Sequence, residues 1–259
     1  METAKEYKVD SLRVGVYQNR GLSGAAAGRA AENCIIATIQ KKGRCRAIFA
    51  AAPSQNEVLA YLSASVSIDW SKVDAFHMDE YMGLSDGASQ RFSSFLRERL
   101  FHKIPNAQYI GLGKVDPETE AQRYSALLKA APIDLVCLGV GENGHIAFND
   151  PPVANFTDPK LVKLVDLDEK CRIQQVNDGC FPNFGAVPTQ ALTLTIPALM
   201  GAKTLVCTVP GKTKAQAIKD MLLGPIATAC PASILRVHAD CSLYLDPDSS
   251  KLWREHARA

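Results

Sequence analysis

The sequence predicts an α/β protein in which helices cover both faces of a mostly parallel, twisted, Rossmann-like sheet. Short apolar runs alternate with helical stretches along the 259 residues, a pattern typical of parallel sheets. Polar and glycine-rich turns follow several of these runs, as expected at the ligand-binding edge of such a sheet. No repeat or linker interrupts the pattern, so we expect a single domain over residues 1–259, with its core at about 12–246.

The individual elements follow from the spacing of apolar residues and from the turn residues between them. The predicted strands cover residues 12–17, 46–51, 70–76, 107–112, 133–138, 161–165, 191–195, 204–208 and 243–245. The predicted helices cover residues 22–40, 57–63, 89–101, 118–131, 196–200 and 212–221. Residues 166–187 are rich in Pro, Gly and Asn and are expected to be irregular.

The composition excludes several classes of protein. Hydrophobic residues make up 47% and charged residues 22% of the chain, and a net charge of +2 arises from interspersed signs, so nothing indicates a nucleic-acid or membrane partner. The first ten residues lack the apolar stretch of a signal peptide, and no run approaches the ~18 apolar residues of a membrane helix. The eight cysteines are scattered, with no Cys-x-x-Cys pair, which favours reduced thiols and a cytoplasmic location.

The most informative stretch is the turn that follows the apolar run 133–138. Its three glycines allow the backbone to turn sharply and to approach a ligand closely. His145, Asn149 and Asp150 follow within a few residues, and an imidazole, an amide and a carboxylate at one strand end favour a catalytic site. A tight turn with a hydrogen-bonded core histidine is the alternative that this short pattern leaves open.

Polar residues also follow other predicted strands. Asp79 and Glu80 come directly after an apolar strand, where carboxylates are costly to bury unless they are paired; solvated loop carboxylates are the alternative. The Gly-Lys-Thr-Lys segment at 211–214 opens a helix, and free amides, the helix dipole and ammonium groups together suit an anion. It is not a Walker loop, and an exposed charged helix start is equally compatible.

Four motifs in this order resemble the glucosamine-6-phosphate deaminase (isomerase) family. They lie at residues 76–84, 139–151, 187–193 and 211–215, and the resemblance spans roughly residues 12–246. The related 6-phosphogluconolactonases share the fold but typically have Asp-Glu-Arg after the strand and Gly-His-Thr-Ala-Ser around the histidine. Asp79-Glu80-Tyr81 and Gly144-His145-Ile146-Ala147-Phe148 fit the deaminase branch better.

The resemblance implies a deaminating aldose–ketose isomerase with C–N bond cleavage, converting an amino-sugar phosphate, glucosamine 6-phosphate first, into fructose 6-phosphate and ammonia. It implies that Asp79 moves the proton between C2 and C1, that His145 opens the ring, and that Asn143 and Asp150 orient His145. The substrate-binding residues that we expect are Ser54, Gln55, Asn56, Glu80, Gly144, Arg172 and Lys214. It implies no metal or organic cofactor; the expected partner is a small sugar phosphate, and a homo-oligomer is an open possibility.

The sequence departs from the family pattern at three places. Asn143 replaces the usual aspartate, residues 52–56 replace a Gly/Thr-rich phosphate loop, and Asn177 replaces an arginine that holds phosphate. These changes concern substrate recognition more than proton transfer, so another hexosamine phosphate is a rival substrate. A lactonase or a catalytically silent sugar-phosphate-binding module are the alternatives, because a fold does not determine a function.

Overall fold

The computed structural model describes residues 4–111 and 115–256. Its strands are β1 (Lys5–Val9), β2 (Leu12–Val16), β3 (Cys45–Phe49), β4 (Val73–His77), β5 (Asp79–Tyr81), β6 (Asn106–Gln108), β7 (Leu135–Leu138), β8 (Val162–Asp166), β9 (Gln190–Leu194), β10 (Thr204–Val209) and β11 (Cys241–Leu245). Its helices are α1 (Arg20–Lys42), α2 (Asn56–Ala64), α3 (Phe92–Arg99), α4 (Pro117–Lys129), α5 (Glu169–Asn177), α6 (Ile196–Met200), α7 (Ala215–Leu223) and α8 (Lys251–His256).

Eight strands form the main sheet, in the order β1-β2-β11-β10-β7-β3-β4-β6. The β1–β2 pair is antiparallel, and every other neighbouring pair is parallel. This arrangement confirms the predicted α/β fold with a mostly parallel sheet. Because parallel strands end along the same edge, the turns after β3, β4, β7 and β10 lie side by side.

Both faces of the sheet are buried, which explains why its central strands are largely apolar. In β3, Ile48 belongs to the apolar cluster on one face, whereas Ala47 and Phe49 belong to the cluster on the other. The first cluster includes residues of α4, α6, α7 and α8, and the second includes residues of α1, α2 and α3. The two helical layers hold the central strands, and therefore the turns that follow them, in a fixed arrangement.

A second, three-stranded sheet, ordered β5-β9-β8, is antiparallel. The sequence predicted strands near β8 and β9 but not their separate sheet, because periodicity reports burial and not the identity of the neighbouring strand. After β4 the chain passes through Met78 into the second sheet, where Asp79 pairs with Thr193. Asp79 therefore lies at the junction between the two sheets.

Elements β1 and α5 are two that differ from the sequence prediction. β1 forms in a polar segment as an edge strand, and Tyr7 packs edge-on against Trp253 of α8 with ring centroids 5.1 Å apart. The prediction that residues 166–187 are irregular was wrong over α5, which begins after Asp168. The buried face of α5 carries Gln174 and Gln175 beside Cys171, so it lacks the apolar period that identifies a helix. Residue 112, the predicted end of the strand near β6, lies outside the described residues.

Two further predictions concern the whole chain. All eight cysteines are free thiols, five of them buried and three half-buried. Within residues 4–111 and 115–256, no helix has the length and apolar character needed to cross a membrane. The organisation as a single domain stays a prediction.

Candidate active site

A cavity of about 300 Å³ opens at the carboxyl ends of β3, β4, β7 and β10. The turns after these strands supply most of its wall, and α5 closes one side. Four residues predicted for the site, Ser54, Asp79, His145 and Lys214, line this one cavity. The polar and charged residues of its wall are Arg20, Ser54, Asp79, His145, Gln174, Gln175, Asp178, Lys212, Thr213 and Lys214.

Asp79 is a buried carboxyl group at the cavity wall, with 6% of the residue exposed. Burial, and secondarily the negative charge of Glu80, raise the pKa of Asp79 well above its usual range. A carboxylate in such an environment is a stronger base than one in water. Asp79 therefore has the properties of a group that takes up and returns a proton near neutral pH.

His145 lies at the centre of a hydrogen-bonded network. Its Nδ1 is 2.8 Å from Asn143 Oδ1 and 2.9 Å from Asp150 Oδ1, and both of these atoms are acceptors. Nδ1 therefore carries the proton, and in the neutral ring Nε2 is left as the basic nitrogen. Asn143 also donates from Nδ2 to Asp150 Oδ1 at 2.9 Å, so the three side chains hold one another in place.

Asp150 is fully buried, yet its pKa moves in the direction opposite to that of Asp79. Burial acts to raise the pKa of Asp150, but the facing His145 and the hydrogen bonds from His145 and Asn143 outweigh it and place the pKa below its usual range. Asp150 is therefore ionised at neutral pH and brings a negative charge to the imidazole. This arrangement supplies the charge that Asn143 lacks.

The glycines of the turn after β7 make room for this network. A Cβ atom on Gly141 would lie 2.1–2.4 Å from the atoms of the His145 ring, so a side chain at position 141 would displace the imidazole. A Cβ atom on Gly139 would lie 2.9 Å from Ser54 Oγ, across the cavity wall. The close packing explains why this strand end requires glycines at these two positions.

The turn after β10 brings cationic groups to the cavity wall. Lys214 is buried, its Nζ has no hydrogen-bond partner among the described residues, and burial lowers its pKa. Lys212 and Thr213 precede it, and Ser54 lies across from them in the turn after β3. An unpaired buried ammonium group beside hydroxyl groups and turn amides is an arrangement that suits a phosphate.

Two of the predicted substrate-binding residues are not part of the cavity wall, because their side chains bond to other parts of the protein. Glu80 accepts hydrogen bonds from the backbone N–H groups of Phe92 and Ser93, both at 3.0 Å, and so caps the start of α3. Arg172 stacks on the Phe184 ring at 4.0 Å and donates to the Val187 carbonyl at 2.9 Å. In this structure both residues support the wall from outside.

Three other predicted residues also lie outside the cavity wall. Gln55 donates from Nε2 to the carbonyl of Leu138 at 3.1 Å and thereby joins the turn after β3 to the end of β7. The Asn56 side chain accepts a hydrogen bond from Arg99 Nε at 3.1 Å, away from the cavity. Gly144 has a φ of +82°, and its carbonyl accepts a hydrogen bond from Ala232 N at 2.8 Å.

Sequence reasoning missed several residues of the wall. Gln174, Gln175 and Asp178 reach it from α5 and from the residue that ends it, the segment predicted to be irregular. Arg20 reaches it from the first turn of α1, just after β2. The rule that ligands meet the carboxyl ends of parallel strands applies equally to β2, so that signal was present for Arg20. No comparable signal marked the residues of α5.

Comparisons with known proteins identify the family of the chain. Residues 19–243 match the model of the family described as glucosamine-6-phosphate isomerases/6-phosphogluconolactonase. The chain therefore belongs to this family of sugar-phosphate enzymes, as the sequence motifs predicted.

The relatives within the family identify the branch. The chain is 36% identical over 193 residues to a glucosamine-6-phosphate deaminase of Exiguobacterium sibiricum, an alignment that covers 74% of this chain and 75% of the relative. It is 37% identical over 190 residues to a glucosamine-6-phosphate deaminase of Bacillus thuringiensis, covering 73% and 71% of the two chains.

Solved structures show the same fold. A monomeric glucosamine-6-phosphate deaminase aligns with a TM-score of 0.82 at 27% identity, covering 92% of this chain and 99% of that one. A 6-phosphogluconolactonase from Trypanosoma brucei aligns with a TM-score of 0.74 at 19% identity, covering 95% and 99% of the two chains, and at this identity the likeness concerns the fold alone.

Proposed function

We propose that this chain is a deaminating isomerase that converts glucosamine 6-phosphate and water into fructose 6-phosphate and ammonia. The observation that carries the proposal is one cavity holding a buried carboxyl group with a raised pKa, a histidine paired with an ionised carboxylate, and an unpaired buried lysine. The reaction needs a base for carbon, a proton relay for oxygen and a cation for phosphate, and these three groups supply them.

Ring opening is the part of the reaction assigned to His145. The proton of the anomeric hydroxyl must leave as the ring oxygen gains one, and a single basic nitrogen can do both in turn. Because Nδ1 is held by Asn143 and Asp150, Nε2 is the free nitrogen, and the charge of Asp150 stabilises the imidazolium formed between the two transfers.

Asp79 is assigned the transfer between the carbon atoms of the open chain. As a carboxylate it removes the proton from C2, and as an acid it returns that proton to C1. Water then adds at C2, the C–N bond breaks, and ammonia leaves the ketose phosphate. The raised pKa of Asp79 suits both directions, since the same oxygen must accept and release a proton in each turnover.

Phosphate recognition is assigned to Lys214, Ser54 and Arg20. Arg20 occupies the cavity wall and is held there by a two-pronged ion pair to Glu57, with Nε–Oε1 at 2.7 Å and Nη2–Oε2 at 3.1 Å. Since Asn177 provides no guanidinium and Arg172 is directed elsewhere, Arg20 is the arginine of the cavity wall. Arg20→Gln is expected to raise KM with little change in kcat, whereas Arg97→Gln, remote from the cavity, leaves both unchanged.

The environment of Tyr81 argues for the deaminase over the lactonase. The lactonase pattern has an arginine at this position, whereas Tyr81 is buried and packs against Phe92, Phe148 and Phe181 with ring centroids 4.7, 5.3 and 5.3 Å away. An aromatic residue in an apolar cluster provides no cation for a phosphorylated lactone.

The proposal extends to the surroundings of the enzyme. All of the groups assigned above come from one chain, so a monomer is sufficient for catalysis, and a small sugar phosphate is the partner that the cavity accommodates. The free cysteines suit a reducing compartment, and we place the enzyme in the cytoplasm.

The test is ammonia release from glucosamine 6-phosphate, from other hexosamine 6-phosphates and from the unphosphorylated sugars. Release from glucosamine 6-phosphate, and far slower release from glucosamine, is the expected result. Release only from another hexosamine phosphate would retain the chemistry and change the substrate. Hydrolysis of 6-phosphogluconolactone without ammonia release from any amino sugar would overturn the proposal.

A further inference from the structure

A set of possible metal ligands lies behind the cavity wall. His145, Asp150 and Cys171 each offer one ligand atom, and these atoms all lie within 4.8 Å of one another. His145 and Asp150 come from the turn after β7, and Cys171 comes from helix α5. Ligands at about 2.0–2.3 Å from a tetrahedral ion are roughly 3.3–3.7 Å apart, so small side-chain movements are sufficient to enclose an ion.

Burial and unused bonding capacity favour a ligand at this place. Asp150 is 0% and Cys171 is 1% exposed, while His145 lines the cavity and provides the route of entry. Asp150 Oδ2 is buried without a close hydrogen-bond partner among the described residues, although the Cys171 thiol and the Asp168 N–H face the carboxylate, and Oδ1 lies 2.9 Å from both Asn143 Nδ2 and His145 Nδ1. A buried carboxylate oxygen without a partner is costly, and a cation would satisfy it.

We propose that His145, Asp150 and Cys171 form an inhibitory binding site for Zn²⁺ or a similar divalent transition metal. A nitrogen, an oxygen and a sulfur ligand match the preferences of Zn²⁺ and not those of Mg²⁺ or Ca²⁺, which require oxygen. A carboxylate and a thiolate together neutralise the two positive charges of the ion. A tetrahedral ion with these three ligands keeps a fourth position for water.

Binding of the ion removes the groups that ring opening needs. As the metal–sulfur bond forms, the thiol proton of Cys171 passes to solvent. His145 Nδ1, which faces Asp150, binds the ion as its proton is lost to solvent and Nε2 takes up a proton, and an oxygen of Asp150 becomes the third ligand. The imidazole then has no free relay function, so turnover stops. The inhibitory effect rests on the proposed function, whereas the binding site itself stands on the geometry alone.

Cys171 makes the two roles separable, because it is a metal ligand without a part in the reaction. In the metal-free enzyme the Cys171 thiol donates a hydrogen bond to Asp150, which the hydroxyl group of a serine can replace. Cys171→Ser preserves size and polarity and removes the sulfur. Cys180→Ser is the matched control, since Cys180 is a half-buried thiol near the end of α5 and outside the cluster.

The experiment titrates the full chain with Zn²⁺ by calorimetry and with Co²⁺ by absorption spectroscopy. We expect one ion per chain and a thiolate-to-cobalt charge-transfer band in the wild type and in Cys180→Ser. In Cys171→Ser the band is lost and Zn²⁺ binds more than about ten-fold more weakly, a loss at least as large as that from changing a residue that only supports a metal ligand. His145→Ala should lose binding as well.

Activity adds a second, independent readout. Zn²⁺ is expected to stop ammonia release by the wild type and by Cys180→Ser, with recovery after chelation, and to inhibit Cys171→Ser far less. A charge-transfer band that persists in Cys171→Ser, or the absence of Zn²⁺ binding by the wild type, overturns the proposal. If the wild type releases no ammonia at all, the proposed function fails, while the titrations still decide the metal site.

Discussion

Asp79 and Asp150 are both buried carboxyl groups, yet their surroundings have opposite effects on them. Asp79 lies at the junction of the two sheets, next to another carboxylate, and its pKa is raised. Asp150 lies in the turn after β7, hydrogen-bonded to His145 and Asn143, and its pKa is lowered. Burial is common to the two sites, so the difference comes from the neighbouring charges and hydrogen bonds. One fold thus holds a carboxyl group prepared for proton transfer and another that remains a fixed charge.

The largest expected effect comes from removing the carboxyl group that transfers the proton. Asp79→Asn should reduce kcat for ammonia release by at least about 10²-fold, the lower range for loss of a positioned general base. The fold should remain intact by circular dichroism, because the amide fits the same space. Asp166→Asn, at an exposed position on β8, is the control and should retain wild-type activity. Full activity of Asp79→Asn would contradict the assignment.

Removing the fixed charge should have a smaller effect on turnover and a larger one on stability. Asp150→Asn leaves His145 without its anionic partner, so kcat should fall roughly 10²-fold or less. The free energy of unfolding should decrease by about 1–3 kcal/mol, as expected when buried hydrogen-bonding groups lose a partner. Kinetics together with chemical denaturation measure both quantities. An unchanged kcat with reduced stability would limit Asp150 to a structural role.

The dependence of rate on pH should report Asp79 directly. The base must be ionised to remove the C2 proton, so kcat/KM should fall at acid pH with a midpoint above the usual range of an aspartic acid. Asp150 is already ionised there, and its low pKa should contribute no midpoint in the same window. A pH–rate profile at saturating and limiting substrate tests this. A midpoint within the ordinary aspartate range would mean that the acid limb does not belong to Asp79.

The smallest effect, and the sharpest comparison, is the dependence of stability on pH. The raised folded-state pKa of Asp79 stabilises the fold below the ordinary carboxyl pKa, and this contribution is lost as the pH rises. Asp79→Asn should therefore gain stability relative to the wild type towards neutral pH. A lowered pKa has the opposite sign, so Asp150→Asn should be least stable relative to the wild type at neutral pH and approach it in acid. Melting temperatures at about pH 8 and about pH 5 measure the change for Asp79, and those at about pH 5 and about pH 3 measure the change for Asp150, whose contribution is lost only below the usual carboxyl pKa. Equal pH slopes for the two variants would contradict the comparison.

Much of the fold was predictable because its causes are local. Apolar runs in β3, β7 and β10 reveal buried parallel strands, and the glycines after β7 reveal a turn that approaches other atoms closely. Asp79, His145 and Lys214 were identified from the strand ends that they follow and from the family motifs, and all three line one cavity. Their chemical roles remain predictions until the variants are measured.

The parts that were missed depend on contacts between distant segments. Helix α5 has polar residues on its buried face because that face meets the cavity and not an apolar core, so its sequence has no helical period of apolar residues. Arg172 was expected to bind the substrate and instead stacks on Phe184, while Arg20 occupies the cavity wall. The sequence specifies the type of each side chain, but the orientation of a side chain depends on the residues that it contacts in the folded protein.

By itself, then, the sequence determined the class of fold, the order of the motifs and the kinds of chemical group at the strand ends, because backbone propensity and hydrophobic period act over a few residues. Only the tertiary structure decided which carboxyl groups are paired. Asp79 and Asp150 are the same residue type at the ends of two strands, and the sequence does not distinguish their acidities. Their pKa values diverge because desolvation, charge and hydrogen bonding act across space, between segments that meet only in the folded chain.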